Sequence, residues 1–184
     1  MMRLFIGIAL PDTQVQSLSL LAGGIPGARW QPPERLHLTL RFIGEVDGRT
    51  LAGIDDALRA LREPAFELEP FGVGVFTLKE PRQLWVGMRS SPALLHLHRK
   101  IDTAITRLGL PADRRKFSPH VTVARLKAPN RDRLVQFLQV HALFHAQPFA
   151  VERFVLFRST LTANGSLYTI EQEYGLDSQE VGMG

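Results

Sequence analysis

An α+β architecture of two pseudo-symmetric lobes, each an antiparallel sheet with helices on its outer face, sharing a central cleft, follows from three features of the sequence. Strand-like runs alternate with helical stripes along the chain. The order of elements in the first half comes round again in the second. One strand pattern, His-x-Thr-x, occurs once in each half.

The apolar run over 4–10 reads as a buried strand ended by Pro11-Asp12, and Asp12 is placed to cap a helix that stops at Gly23-Gly24. After the turn at Ile25-Pro26-Gly27 and the Pro32-Pro33 break, residues 36–42 alternate with period two. Leu36, Leu38, Leu40 and Phe42 fall on one face, and His37, Thr39 and Arg41 on the other. Asp47 precedes a helix over 51–61 whose Leu51, Ile54, Leu58 and Leu61 recur at spacings of three and four. Strands are expected over 66–76 and 83–88. A helix over 92–108 carries the stripe Leu94, Leu97, Ile101, Ile105 and Leu108, with Gly109 just past its end. A strand over 120–124 then repeats the earlier pattern. Asn130 caps a helix over 132–140, and strands over 149–157 and 166–174 flank the Asn164-Gly165 turn. Residues 1–178 are expected to form a single bilobal domain, with 179–184 a frayed tail.

With 184 residues, 45% of them hydrophobic and 22% charged, the chain has the composition of a folded protein, not a disordered or fibrous one. Its lack of cysteine excludes disulfides, thiolate metal sites and a cysteine nucleophile, so any chemistry falls to histidine, carboxylate, hydroxyl or bound ions. The net charge of +4 is modest. Most of the cations are arginine, whose fork matches phosphate oxygens in two-point contacts, so an anionic partner is expected alongside the plainer reading of solvated helix faces. The first ten residues resemble a short secretion signal only until Pro11-Asp12 interrupts them, and no apolar stretch reaches the 18 or so residues of a membrane span. The expectation is a cytoplasmic monomer without a membrane partner.

The most informative feature is the pair Leu36-His37-Leu38-Thr39-Leu40 and Pro119-His120-Val121-Thr122-Val123. A chain of this composition is expected to hold about 0.3 His-x-Thr triples by chance, fewer still with apolar residues after each. The two-residue period of a strand puts His and Thr on one polar face, about 7 Å apart. Were the two faces to meet, two imidazoles and two hydroxyls would surround a space suited to an anion. An imidazole titrates near pH 6.5, so one of a pair can act as acid while the other acts as base, and the threonine hydroxyls can hold phosphate oxygens. Arg41 and Arg125 are candidates to balance developing charge. Arg125 reaches that face only if its strand bulges or ends near Ala124, because strict alternation opposes it to His120.

These motifs resemble the paired H-x-T-x sequences of the two-histidine (2H) phosphoesterases. The segments Arg3-Leu4-Phe5-Ile6, Thr39-Leu40-Arg41-Phe42-Ile43-Gly44, Leu84-Trp85-Val86-Gly87 and Phe117-Ser118-Pro119-His120 through Ala124-Arg125 look like those of the bacterial and archaeal RNA 2′,3′-cyclic phosphodiesterases, also called 2′-5′ RNA ligases. The resemblance covers nearly the whole chain. It implies a metal-independent, cofactor-free enzyme that opens the 2′,3′-cyclic phosphate ends of RNA to 2′-phosphates, and that in reverse joins tRNA-half-like pieces through 2′-5′ linkages. It further implies His37 as proton donor to the leaving 3′ oxygen, His120 as proton acceptor from water, and Thr39, Thr122 and Arg125 as phosphate-binding. Which histidine is acid and which base rests on the resemblance alone.

Plainer readings compete. Two buried histidines satisfied by carbonyls would look similar, and a two-histidine metal site lacks a third ligand at a persuasive spacing. His141 and His145 read as exposed residues at a helix end, and His96 and His98 point apart on a helix. Phe42, Phe76 and Phe117 are candidates to stack on a base or to fill the core, and Arg114-Arg115-Lys116 to meet an RNA backbone or form a solvated turn. Alternative functions sharing the cleft are a non-catalytic RNA-end binder and a phosphodiesterase for another small cyclic phosphate or 2′-5′ oligonucleotides.

Overall fold

The computed structural model describes residues 1–178. The tail expected over 179–184 lies outside the described residues. In chain order the elements are β1 (Met2–Ala9), α1 (Asp12–Ser19), β2 (Ala28–Trp30), a 3-10 turn (Pro33–Arg35), β3 (His37–Val46), α2 (Gly48–Arg59), β4 (Phe66–Leu68), β5 (Pro70–Gly74) and β6 (Gln83–Met88). They continue with α3 (Pro92–Arg107), β7 (His120–Leu126), α4 (Arg131–Val140), β8 (Phe149–Val151), β9 (Arg153–Thr162) and β10 (Gly165–Gly175).

The expected α+β architecture is present, with its two antiparallel halves joined edge to edge. Eight strands run in the order β10-β9-β1-β3-β7-β6-β5, with β2 also on β7, and β4 pairs β8 in a small separate sheet. One half ends at β3 and the other at β7, and these two meet antiparallel at the Leu38–Val121 pair. Where β3 leaves the edge of β7, β2 takes its place along Ala124 to Leu126. One face of the sheet presents Leu4, Ile6, Ile8, Leu38, Leu40, Leu84, Val86, Val121 and Val123, all nearly inaccessible, to a core shared with Ile54 and Leu58 of α2, Leu94, Leu97, Ile101 and Ile105 of α3, and Leu134 of α4. Burying each such side chain contributes about 1.5–3 kcal/mol, which is what holds the helices to this face.

Asp47, Asn130 and Gly109 stand at helix ends as expected, Ser91 is a further cap that the sequence reading does not name, and Asp12 is the exception. Asp47 accepts from Thr50 N at 2.8 Å, Ser91 from Leu94 N at 3.2 Å and Asn130 from Arg133 N at 3.0 Å, and Gly109 (φ 83°) takes the left-handed conformation beyond α3. Asp12 is not a cap. Pro11 occupies that position, leaving Asp12 in the first helical turn, where its carboxylate faces the positive end of the helix dipole, and the helix stops at Ser19. The strands expected over 66–76 and 149–157 are each interrupted, at Glu69 and Glu152, so that β4 and β8 can turn aside and pair with each other. Pro70 has no N–H to continue a ladder. The three-residue β2 has no counterpart in the sequence reading, being too short to show a period.

Candidate active site

Strands β3 and β7 share one irregularity. In β3 the pairing with β1 runs Phe5–Phe42, Ile6–Arg41, then Gly7–Thr39, skipping Leu40. In β7 the pairing with β6 runs Gln83–Arg125, Leu84–Ala124, then Trp85–Thr122, skipping Val123. Each extra residue is a bulge placed three positions after the histidine, and it reverses the alternation beyond it. Leu40 and Arg41 are therefore both buried while Phe42 is 50% exposed; Val123 and Ala124 are both buried while Arg125 is exposed. The bulge puts Arg125 on the face of His120 and Thr122, and puts Phe42, not Arg41, on the face of His37 and Thr39.

The antiparallel pairing of Leu38 with Val121 relates the motifs by a local two-fold axis. It sets His37 beside Thr122 and Thr39 beside His120, with the two histidines on the diagonal, about 7–8 Å apart at their backbones. Each imidazole is anchored in the same way: His37 Nδ1 donates to Arg35 O and His120 Nδ1 to Ser118 O, both at 2.7 Å. A carbonyl only accepts, so each neutral ring carries its proton on Nδ1 and makes Nε2 the accepting nitrogen. Burial lowers the pKa of both rings from the usual value; the carbonyl bond pushes back, and the charge of Arg125 lowers each further, joined for His37 by that of His120. Both imidazoles therefore favour the neutral form until an anion arrives.

The surroundings of the two rings differ. His37 sits among Phe5 (4.9 Å between ring centres), Tyr168 (5.1 Å) and Phe157 (5.9 Å), whereas His120 meets Phe76 edge-on at 5.0 Å. His37 Nε2 is 3.0 Å from Thr39 Oγ1, while Thr122 Oγ1 donates to Gln83 Oε1 at 3.1 Å.

A family model described as the 2′-5′ RNA ligase superfamily matches residues 12–162. The chain belongs to that superfamily. It is 32% identical over 182 residues to a Thermotoga maritima protein named RNA 2′,3′-cyclic phosphodiesterase, with 94% of each chain covered. It is 30% identical to an Archaeoglobus fulgidus protein of the same name, with 91% of this chain and 96% of that one covered. Among solved structures, TT0787 of Thermus thermophilus superposes with a TM-score of 0.79 at 26% identity, covering 97% of this chain and 100% of that one. Escherichia coli LigT in complex with 3′-AMP superposes at 0.76 and 25%, covering 95% and 98%. The fold and the phosphoesterase class expected from the paired motifs are thus those of this superfamily.

Other candidates change standing in this superfamily member. Arg41 is not available to a substrate: it is 6% exposed, on the helix side of the sheet, donating to Asp102 of α3 at 2.7 Å, to Phe42 O at 2.8 Å and to Pro111 O. It ties the loop after α3 to the sheet. Asp102→Ala leaves that guanidinium buried without its counter-charge, and a loss of about 3 kcal/mol in urea or thermal unfolding is the expected outcome. Phe117 is stacked on His98 at 3.9 Å, so it does not offer a free ring, whereas Phe42 and Phe76 (58% exposed) do. Arg115 is paired with Asp113 and lies 6.0 Å from the Phe42 ring. His96 pairs with Glu63 at 2.8 Å; of the two histidines expected to be exposed at a helix end, His141 closes α4 half-buried against Phe137 at 4.2 Å, and His145 is exposed but lies past the helix, bridged to Phe71. Among the described residues no three His, Asp or Glu side chains gather as a metal site, and no helix is long and apolar enough to cross a membrane. Gln83, Phe5, Phe157 and Tyr168 were not singled out by sequence. Phe5 and Gln83 hold equivalent positions, pairing with Phe42 and Arg125 respectively, a correspondence readable only once the strands are registered.

Proposed function

We propose that the protein hydrolyses the 2′,3′-cyclic phosphate ends of RNA to 2′-phosphates by two-histidine acid–base catalysis. The observation that carries this reading is the square of His37, Thr39, His120 and Thr122 on one face of paired strands, with both Nδ1 atoms tied back and Arg125 at its side. His120 Nε2 takes a proton from water, whose oxygen bonds to phosphorus. The bond from phosphorus to the 3′ oxygen breaks on the opposite side, and that oxygen takes the proton carried by His37 Nε2. Thr39, Thr122 and Arg125 hold the non-bridging oxygens. The bound phosphate's negative charge favours the protonated form of one ring, supplying the acid that the free site disfavours. With a 5′-hydroxyl in place of water attacking the cyclic phosphate in the same direction, the same groups form a 2′-5′ linkage.

The names of the relatives and the complex of LigT with 3′-AMP support an RNA or nucleotide substrate. Because both histidines come from one chain, residues 1–178 are taken as one bilobal working unit, acting as a monomer in the cytoplasm. The test is incubation with cyclic-phosphate-ended RNA in chelator. Accumulation of 2′-phosphate ends is expected; a 3′-phosphate product, loss of turnover in chelator, or binding without turnover overturns the proposal.

A further inference from the structure

The two halves of the site treat their threonines differently. With His37 neutral and its proton on Nδ1, the hydroxyl of Thr39 donates to His37 Nε2 at 3.0 Å. The hydroxyl of Thr122 has no such partner on His120 and donates instead to the carboxamide oxygen of Gln83 at 3.1 Å. Both protons are thus committed to acceptors within the protein. Each threonine has only one proton to give, so holding a phosphate oxygen requires each to release its present acceptor. For Thr39 the release is automatic, since protonation of His37 converts Nε2 from acceptor to donor. Gln83 does not titrate, but a carboxamide has an acceptor at one corner and a donor at the other, and turning it end for end exchanges them.

Gln83 is well placed for this. It sits on β6 directly opposite Arg125, at the position equivalent to Phe5 in the other half, and among the described residues its amide nitrogen has no protein partner. We propose that Gln83 is a positioning residue for the phosphate: on substrate binding its side chain turns so that Nε2 donates to Thr122 Oγ1, and the Thr122 hydroxyl then points its proton at a non-bridging oxygen beside Arg125. No bond is made or broken in this step. It rests on the cyclic phosphodiesterase reading for its substrate, and on the hydrogen-bond geometry alone for its direction.

The experiment compares wild type with Gln83→Met, Gln83→Glu, Thr122→Val and the Gln83→Met/Thr122→Val double variant. Two quantities are read: kcat and KM for a nucleoside 2′,3′-cyclic phosphate, and the Kd of inorganic phosphate by calorimetry. Methionine matches glutamine in length and removes both polar corners, so KM and the phosphate Kd are expected to rise about ten-fold, with kcat within about two-fold, the size of one hydrogen bond to a charged group. Glutamate keeps the acceptor and lacks the donor, so it is expected to lose at least as much. Because Gln83 acts through Thr122, the double variant is expected to match Thr122→Val alone. The inference is overturned if Gln83→Met or Gln83→Glu keeps the wild-type KM and phosphate Kd, or if the losses of the two single variants multiply. A wild type that binds phosphate but hydrolyses nothing would sink the cyclic phosphodiesterase reading, and the calorimetric arm would still decide the role of Gln83.

Discussion

Replacing His120 with alanine is expected to lower kcat on a nucleoside 2′,3′-cyclic phosphate by about 10²–10⁴, and replacing His37 to do the same. In the proposed mechanism the rings serve one transition state from opposite sides of phosphorus, so the double variant should be little worse than the poorer single one. Stability separates the two sites. His120 makes one backbone hydrogen bond at a partly open position, whereas His37 packs against Phe5, Phe157 and Tyr168. His37→Ala should therefore melt at a lower temperature than His120→Ala, and the activity comparison is made well below both transitions. Either variant retaining full turnover would remove the acid–base pair from the mechanism.

Arg125→Gln is the second substitution with a large expected effect, and it has two readouts. A charge-assisted hydrogen bond to a phosphate oxygen contributes about 1.5–3 kcal/mol, so kcat/KM should fall about ten- to a hundred-fold. The same guanidinium lowers the pKa of both histidines. Its removal lets both rise, and because each limb of a bell-shaped kcat/KM profile reports one free-enzyme group, the whole bell should move toward higher pH. Arg125→Lys keeps the charge and loses the fork, so it should restore the position of the bell more fully than its height. An unmoved optimum in Arg125→Gln would mean that Arg125 does not act on the imidazoles.

The histidine and threonine positions were legible from sequence because they lie within one stretch of unbroken alternation on each side of Leu38 and Val121. Reading failed beyond that stretch, where the ladder slips by one residue. Strict period two placed Arg41 with His37 and Phe42 in the core; the bulge at Leu40 exchanges them. The same slip at Val123 was the stated condition for Arg125, and it holds. A bulge is a property of two strands in register, so no single strand announces it. Gln83 and the rings of Phe5, Phe157 and Tyr168 were missed for a related reason: they come from strands remote in sequence and acquire meaning only from what lies opposite them. The interruptions at Glu69 and Glu152 were likewise invisible, since β4 and β8 define each other.

The near-equivalence of the two halves around Leu38–Val121 bears on the polarity of the reaction. Were both halves furnished alike, a cyclic phosphate could lie in the cleft either way round, and ring opening would strand the phosphate on one ribose oxygen as readily as on the other. The halves differ where one carries a cation at 125 and the other a benzene ring at the equivalent 42, and where one carries a carboxamide at 83 and the other a benzene ring at the equivalent 5. In the proposed reaction, those four side chains that break a duplicated frame are what would set the regiochemistry, and exchanging them pairwise between halves is the alteration expected to turn the substrate around.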